Sequence, residues 1–155
     1  MSKVSAGIIL YRKRKMGLEV LLVHPGGPFW AKKDLGAWSM PKGEIESGEN
    51  LLFAAKREFE EELGFAPPPG EFIPLASIVQ RSGKTVHAWA VEGDYNVRSV
   101  KSNMVRVERP PGSGKFWEFP EIDRAEFFGV QEARKKINPA QVELLERLEA
   151  KMANQ

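Results

Sequence analysis

The 155 residues suit one domain, 1–155, of ordinary globular composition at 42% hydrophobic and 28% charged, which leaves a second domain little room. A formal charge of +2 argues for neither a nucleic-acid nor a membrane partner, and the lack of cysteine excludes a disulfide framework or a thiolate metal site. No apolar run is long enough for a signal peptide or a membrane span, so a soluble, cytoplasmic protein is the expectation; nothing in the sequence speaks to oligomeric state.

Taken in chain order, Val4 to Tyr11 reads as a strand. The basic run Arg12 to Lys15, followed by Gly17, reads as its turn into a second strand, Glu19 to His24. A long loop follows, HPGGPFWAKKDLGAW, of a length that in a compact domain tends to be functional or mobile. Within it Phe29 and Trp30 stand beside Lys32 and Lys33, an aromatic-cation pairing that could stack a nucleobase and touch phosphate. Trp30 as an apolar lid on the core is the competing reading, and the sequence leaves both open. Trp38 to Met40 is a short apolar strand entering the turn Pro41-Lys42-Gly43, where glycine lets the backbone approach a ligand closely.

Asn50 is an N-cap for a helix over Leu51 to Leu63, a stretch free of proline, glycine and β-branched residues, and Gly64 supplies positive φ just past its end. Leu52, Ala55, Phe59 and Leu63 form the stripe that faces a core. Glu58, Glu61 and Glu62, spaced i, i+3, i+4, meet on the neighbouring side. Like charges so placed repel unless a cation sits among them, and magnesium, which takes one or two carboxylates together with waters and substrate phosphates, suits the patch. A solvated acidic helix face is the plainer account of E-x-x-E-E alone. Arg57 either forms a fork with Glu49 or steers one of the acids.

Beyond the helix, Pro67 to Gly70 make a rigid exit, and Phe72 to Gln80 and Thr85 to Val91 are strands joined at Arg81-Ser82-Gly83-Lys84. Val86, Ala88 and Ala90 share one face of the second; His87 points to the other and reads as a surface or half-buried histidine. Asn103 to Phe128 reads as loop, aromatic strand, loop, with Trp117 a further candidate for stacking a base. Gln131 to Ile137 is a short helix, and Asn138-Pro139 starts a longer one through Met152. The order of elements fits a mixed sheet with helices on both faces.

The stretch from Gly43 to Phe65 resembles the Nudix box, G-x5-E-x7-R-E-U-x-E-E-x-G-U with U bulky and apolar, at Gly43, Glu49, Arg57, Glu58, Phe59, Glu61, Glu62, Gly64 and Phe65 without departure. The resemblance implies an α/β fold, the Nudix α/β/α sandwich with a mixed sheet, and hydrolysis of a nucleoside diphosphate linked to another group. It implies Mg2+, with Mn2+ as a substitute, on Glu58 and Glu62, with Glu61 as ligand or general base and the Gly43 carbonyl joining the metal shell. A further carboxylate comes in many members from the loop before the last strand, and Glu121 is favoured over Glu118. Arg57 acts through geometry, Glu49 supports it, and Lys42 faces phosphate.

Trp38-Ser39-Met40-Pro41-Lys42-Gly43 is similar to the W-x-x-P-K-G of dinucleoside polyphosphate hydrolases, although Arg81 and Ser82 stand where that group commonly has a tyrosine. A nucleoside triphosphate is the close second as substrate. The rival from another class is a nucleotide-binding regulator without turnover, against which the intact box glutamates argue.

Overall fold

The computed structural model describes residues 3–154. Along the chain run β1 (Val4–Arg14), β2 (Gly17–Pro25), β3 (Lys42–Glu44), α1 (Leu51–Leu63), β4 (Ile73–Val79), β5 (Thr85–Glu92), β6 (Met104–Glu108), β7 (Phe116–Pro120), β8 (Ile122–Gly129), α2 (Val130–Lys136) and α3 (Val142–Ala153). Single 3-10 turns cover Val97–Ser99 and Pro139–Gln141.

Ser5 to Tyr11 are all buried, which makes β1 the spine of the sheet. Successive strand side chains point to opposite faces. Ala6, Ile8 and Leu10 therefore enter one apolar cluster with Ala54, Ala55, Phe59 and Leu63 of α1, while Ile9 and Tyr11 enter another with Trp38, Met40 and Leu144, Leu145 and Leu148 of α3. Coverage on both faces explains why the strand reads as a run rather than an alternation. Val86, Ala88 and Ala90 of β5 share the α3 side, as their spacing predicts, and His87 is half-buried.

The main sheet runs β4-β5-β1-β2-β8, with β3 also paired to β1. β1 and β5 are parallel, from Val4 opposite Thr85 to Tyr11 opposite Glu92, and the other pairings are antiparallel. With α1 on one face and α2 and α3 on the other, the expected α/β/α sandwich with a mixed sheet is borne out. Among the described residues no helix is long and apolar enough to cross a membrane.

Several elements differ from the sequence reading. Strand β1 continues through Arg14, so of the basic run only Lys15 lies in the turn: Arg12 bonds Glu19 at 2.7 Å, and Arg12 and Arg14 bond Asp94 at 2.7 and 2.6 Å, which neutralises the two arginines on extended backbone. Trp38 to Met40 is not a strand; Ser39 and Trp38 make single bridges to Val23 and Ile137. The strand in that region is β3, because β2 pairs with β1 only from Tyr11 onward and leaves Ser5 to Gly7 open to Lys42–Glu44. Strands β6 and β8 were not legible. The latter buries Ile122, Ala125 and Phe128, three apart instead of two, and its register against β2 shifts between His24 and Pro25. Asn138 caps a 3-10 turn by accepting the Ala140 N–H at 2.9 Å, and α3 begins after it.

Candidate functional site

Helix α1 has the predicted bounds. The Asn50 side chain accepts the Phe53 N–H at 3.1 Å, and Gly64 takes φ 85° at the other end. Burying Ala54, Ala55, Phe59 and Leu63 against β1 turns Glu58 and Glu62 toward β3. There a Cβ on Gly43 would lie 2.0 Å from Glu58 Oε2, so only glycine leaves room for that carboxylate. Glu62 is 4% exposed; its Oε1 accepts the Lys42 backbone N–H at 3.3 Å, and its Oε2 is buried with no partner.

Since the atom a Gly43 side chain would strike is the end of a flexible side chain, Gly43→Ala is expected to fold normally and to displace Glu58. Turnover falls by roughly tenfold or more, the scale of a misplaced group at a reacting centre. Thermal melting beside steady-state kinetics checks this; an alanine variant of full activity would mean that the position of Glu58 does not matter.

Arg57 meets both of the expectations left open for it. Its Nε and Nη2 donate to the two carboxylate oxygens of Glu49 at 2.7 and 2.9 Å, a fork, while Nη1 donates to Glu58 at 2.8 Å and Glu61 at 3.1 Å. Nη2 also donates to the Glu44 carbonyl at 3.3 Å. One planar group thus ties the loop before α1, the end of β3 and two acids into one arrangement. The Arg57 bonds, then the Glu46 N–H, hold the Glu49 carboxyl down at about 2, and the Glu49 bonds in turn raise Arg57 further above its ordinary value.

Glu58, Glu62 and Glu121 are pushed the other way. Burial, then Glu121, raises Glu62 well above the ordinary carboxylate range. Burial raises Glu58 against the opposing pull of Arg57, and burial followed by Glu61 raises Glu121. Lys42, half-buried, is lowered by burial and then by Lys84. Three carboxyls whose surroundings penalise ionisation form a site that gains from a cation.

The donors are all oxygen, including an orphaned buried carboxylate oxygen, which fits a hard divalent ion. Among the described residues no three acidic or imidazole groups form a ready-made cage. That agrees with Arg57 drawing Glu58 and Glu61 onto its own edge.

Beside Glu62 opens a cleft of about 290 Å3 whose wall includes Trp30, Trp38, Lys42, Glu121, Gln80 and Gln141. The structure therefore brings Trp30, Lys42 and Glu121 into one cleft with Glu62. Lys33 lies over the Phe29 ring, 3.8 Å from its centroid, and Phe29 meets Trp30 edge-on at 5.1 Å. Trp117 and Glu118 lie instead on the β6-β7 hairpin and do not line the cleft; Arg109 stands 5.5 Å over the Trp117 ring and Arg106 pairs with Glu118 at 4.0 Å. Sequence reasoning missed Gln80, Gln141 and His24. A histidine closing the apolar run VLLVH was a usable signal for the last; the glutamines carried none, since Gln141 meets Met40 N at 3.1 Å across 101 residues.

A family model for the NUDIX domain matches residues 1–148. The chain belongs to the Nudix family. It is 34% identical over 122 residues to a Caenorhabditis elegans protein provisionally named nudix hydrolase 1, covering 67% of this chain and 31% of that one. It is 59% identical over 41 residues to an RNA pyrophosphohydrolase of Erythrobacter litoralis, 26% of this chain and 25% of the other. It thus spans a third or less of either relative's length. Among solved structures it resembles a binary complex of a C. elegans Ap4A hydrolase, with TM-score 0.69, 20% identity and coverage of 97% and 99% of the two chains. The NUDIX domain of Shewanella oneidensis NrtR complexed with ADP ribose is also similar, with TM-score 0.66, 15% identity and coverage of 98% and 89%. At such identities the two structures speak to the Nudix fold alone.

Proposed function

We propose that residues 1–155 act as one Nudix domain that hydrolyses a pyrophosphate bond in a nucleotide, with a dinucleoside polyphosphate or a nucleoside triphosphate as substrate and Mg2+ as cofactor. The observation that carries this reading is Glu62: a nearly buried carboxylate with one oxygen unpartnered, at the wall of a cleft that also holds Lys42 and Glu121. A carboxyl so buried is ionised only beside a cationic counterpart and otherwise keeps its proton.

In this reading Glu58, Glu62 and the Gly43 carbonyl hold the ion, with Glu121 as a further ligand from the strand junction. A bound magnesium neutralises phosphate oxygens and acidifies an attacking water. Arg57 fixes Glu58 and leaves Glu61, the more exposed acid, beside it to hold or accept a proton. Lys42 draws the phosphate chain toward Glu62. Such a division suits phosphoryl transfer, which demands positioning and charge neutralisation more than covalent chemistry.

Magnesium-dependent phosphate release over nucleoside triphosphates, dinucleoside polyphosphates, ADP-ribose and nucleotide sugars tests the proposal. Turnover of one class is expected; binding without turnover of any would make the chain a nucleotide-binding regulator.

Base recognition is assigned to Trp30, the half-buried aromatic side chain in the wall of the cleft. Loss of one base-stacking ring removes about 1 to 3 kcal/mol. Trp30→Ala is therefore expected to raise KM by roughly five- to a hundredfold, with kcat changed less, since stacking remote from phosphorus serves ground and transition state alike. An unchanged KM in the folded variant would return Trp30 to the role of lid.

A further inference from the structure

His24 stands where β2 ends against the register shift with β8, 1% exposed. Its Nδ1 lies in hydrogen-bond contact with Asp123 Oδ1 at 2.7 Å and its Nε2–H donates to the Lys33 carbonyl at 2.7 Å, while its ring meets Trp38 edge-on at 5.1 Å. Asp123, on β8, follows Glu121 of the β7-β8 junction by two positions. Lys33 follows Trp30 by three, and its N–H donates to the Trp30 carbonyl at 2.9 Å. Val23 and Pro25, on either side of His24, line the cleft. A single buried ring thus joins the loop that carries Trp30 to the strand that carries Asp123.

We propose that His24 is a positioning residue for the nucleobase: it fixes the loop so that Trp30 stands at the cleft wall. Other ties hold the loop farther from the ring. Gly26 N–H donates to the Glu121 carbonyl at 2.8 Å at its start, and Trp38 Nε1–H donates to Asp34 at 2.8 Å and Gly36 N–H to the Lys135 carbonyl at 3.0 Å at its end. Lys136 also pairs with Asp34, and between these ties the bond from His24 is, among the described residues, the hydrogen bond that joins the turn beginning at Trp30 to β2. A histidine serving stability alone would make the same bonds, and the distinction lies in what its loss does to the substrate.

The inference rests on the base contact proposed for Trp30, and the experiment separates the two. KM and kcat are measured on ATP and diadenosine tetraphosphate for His24→Asn, Trp30→Ala, the double variant and Asp123→Asn. The last keeps the buried ring and guards against a His24 variant that fails to fold. His24→Asn is expected to raise KM about fivefold with kcat within about twofold, and Asp123→Asn to raise it about threefold. In the Trp30→Ala background the His24 change adds less than about twofold, because two residues acting through one contact are not additive.

Raised KM in Trp30→Ala with none in either clamp variant overturns the inference alone, as do clamp effects that multiply undiminished in the double variant. Unchanged KM in Trp30→Ala removes the base contact and the inference together. Tryptic cleavage after Lys33 is a readout that does not depend on substrate. It is expected to quicken about fivefold in Asp123→Asn with cleavage after Arg81 unchanged, and equal rates after Lys33 would show that the clamp does not hold the loop.

Discussion

Glu62→Gln lowers turnover by roughly a hundredfold or more while leaving the metal-free protein as stable as the parent or more so. The first half follows from the proposed role of Glu62 as a principal metal ligand, since loss of one preorganised electrostatic group at a reacting centre acts on about that scale. The second half follows from burial. The carboxylate is 4% exposed and half of it has no partner, so in the absence of metal the charge is a burden that glutamine does not carry.

The pH dependence carries the same sign. Glu62's folded pKa lies above its ordinary 4.5, so the folded chain holds that proton more tightly than the unfolded one. Its effect on metal-free stability is most favourable below about 4.5, declines as pH rises through the interval up to the raised value, and is constant above it. Chemical denaturation of the chelated protein between pH 4 and 8 should show wild type losing stability relative to Glu62→Gln. A variant that is less stable throughout that range would mean Glu62 is held by something other than metal.

Arg57→Lys is expected to reduce kcat by about ten- to a hundredfold with KM little changed, the range for groups that orient the ligands of a metal. Lysine keeps the charge but cannot span Glu49 with two parallel bonds and still reach Glu58 and Glu61. The change also touches acid stability. Glu49 sits at about 2, below its ordinary 4.5, so its contribution is present above 4.5 and is lost as pH falls toward 2. With the fork gone that contribution shrinks, and acid unfolding should begin at higher pH. A lysine variant of full activity would reduce Arg57 to a point charge.

The parts of the site that were legible in the sequence are those that one helix and its flanks write locally. Asn50 and Gly64 set the ends of α1, and the spacing of Glu58, Glu61 and Glu62 put them beside the apolar stripe. Its burial is shifted slightly from expectation: Ala54 joins the core while Leu52 is only half-buried. The opposite wall was not legible. Glu121 comes from the β7-β8 junction and Gln141 from the turn before α3, and neither position bears a local pattern. Strand β3 escaped notice for a related reason, since a three-residue strand exists only because β1 has a vacant stretch beside it. The box gave Gly43 its place in a motif; the Glu58 carboxylate, seated where a Gly43 side chain would stand, gives the physical reason for it.

The claim on which the rest depends is that Glu58 and Glu62 together hold a divalent ion at Gly43. Titrating Mn2+ into the substrate-free protein, followed by electron paramagnetic resonance of the free ion, measures this without reference to any substrate. The account predicts saturable binding by wild type, weakened at least about tenfold in both Glu58→Gln and Glu62→Gln, with Glu118→Gln unchanged. Equal Mn2+ affinity in wild type and the two glutamine variants would contradict it.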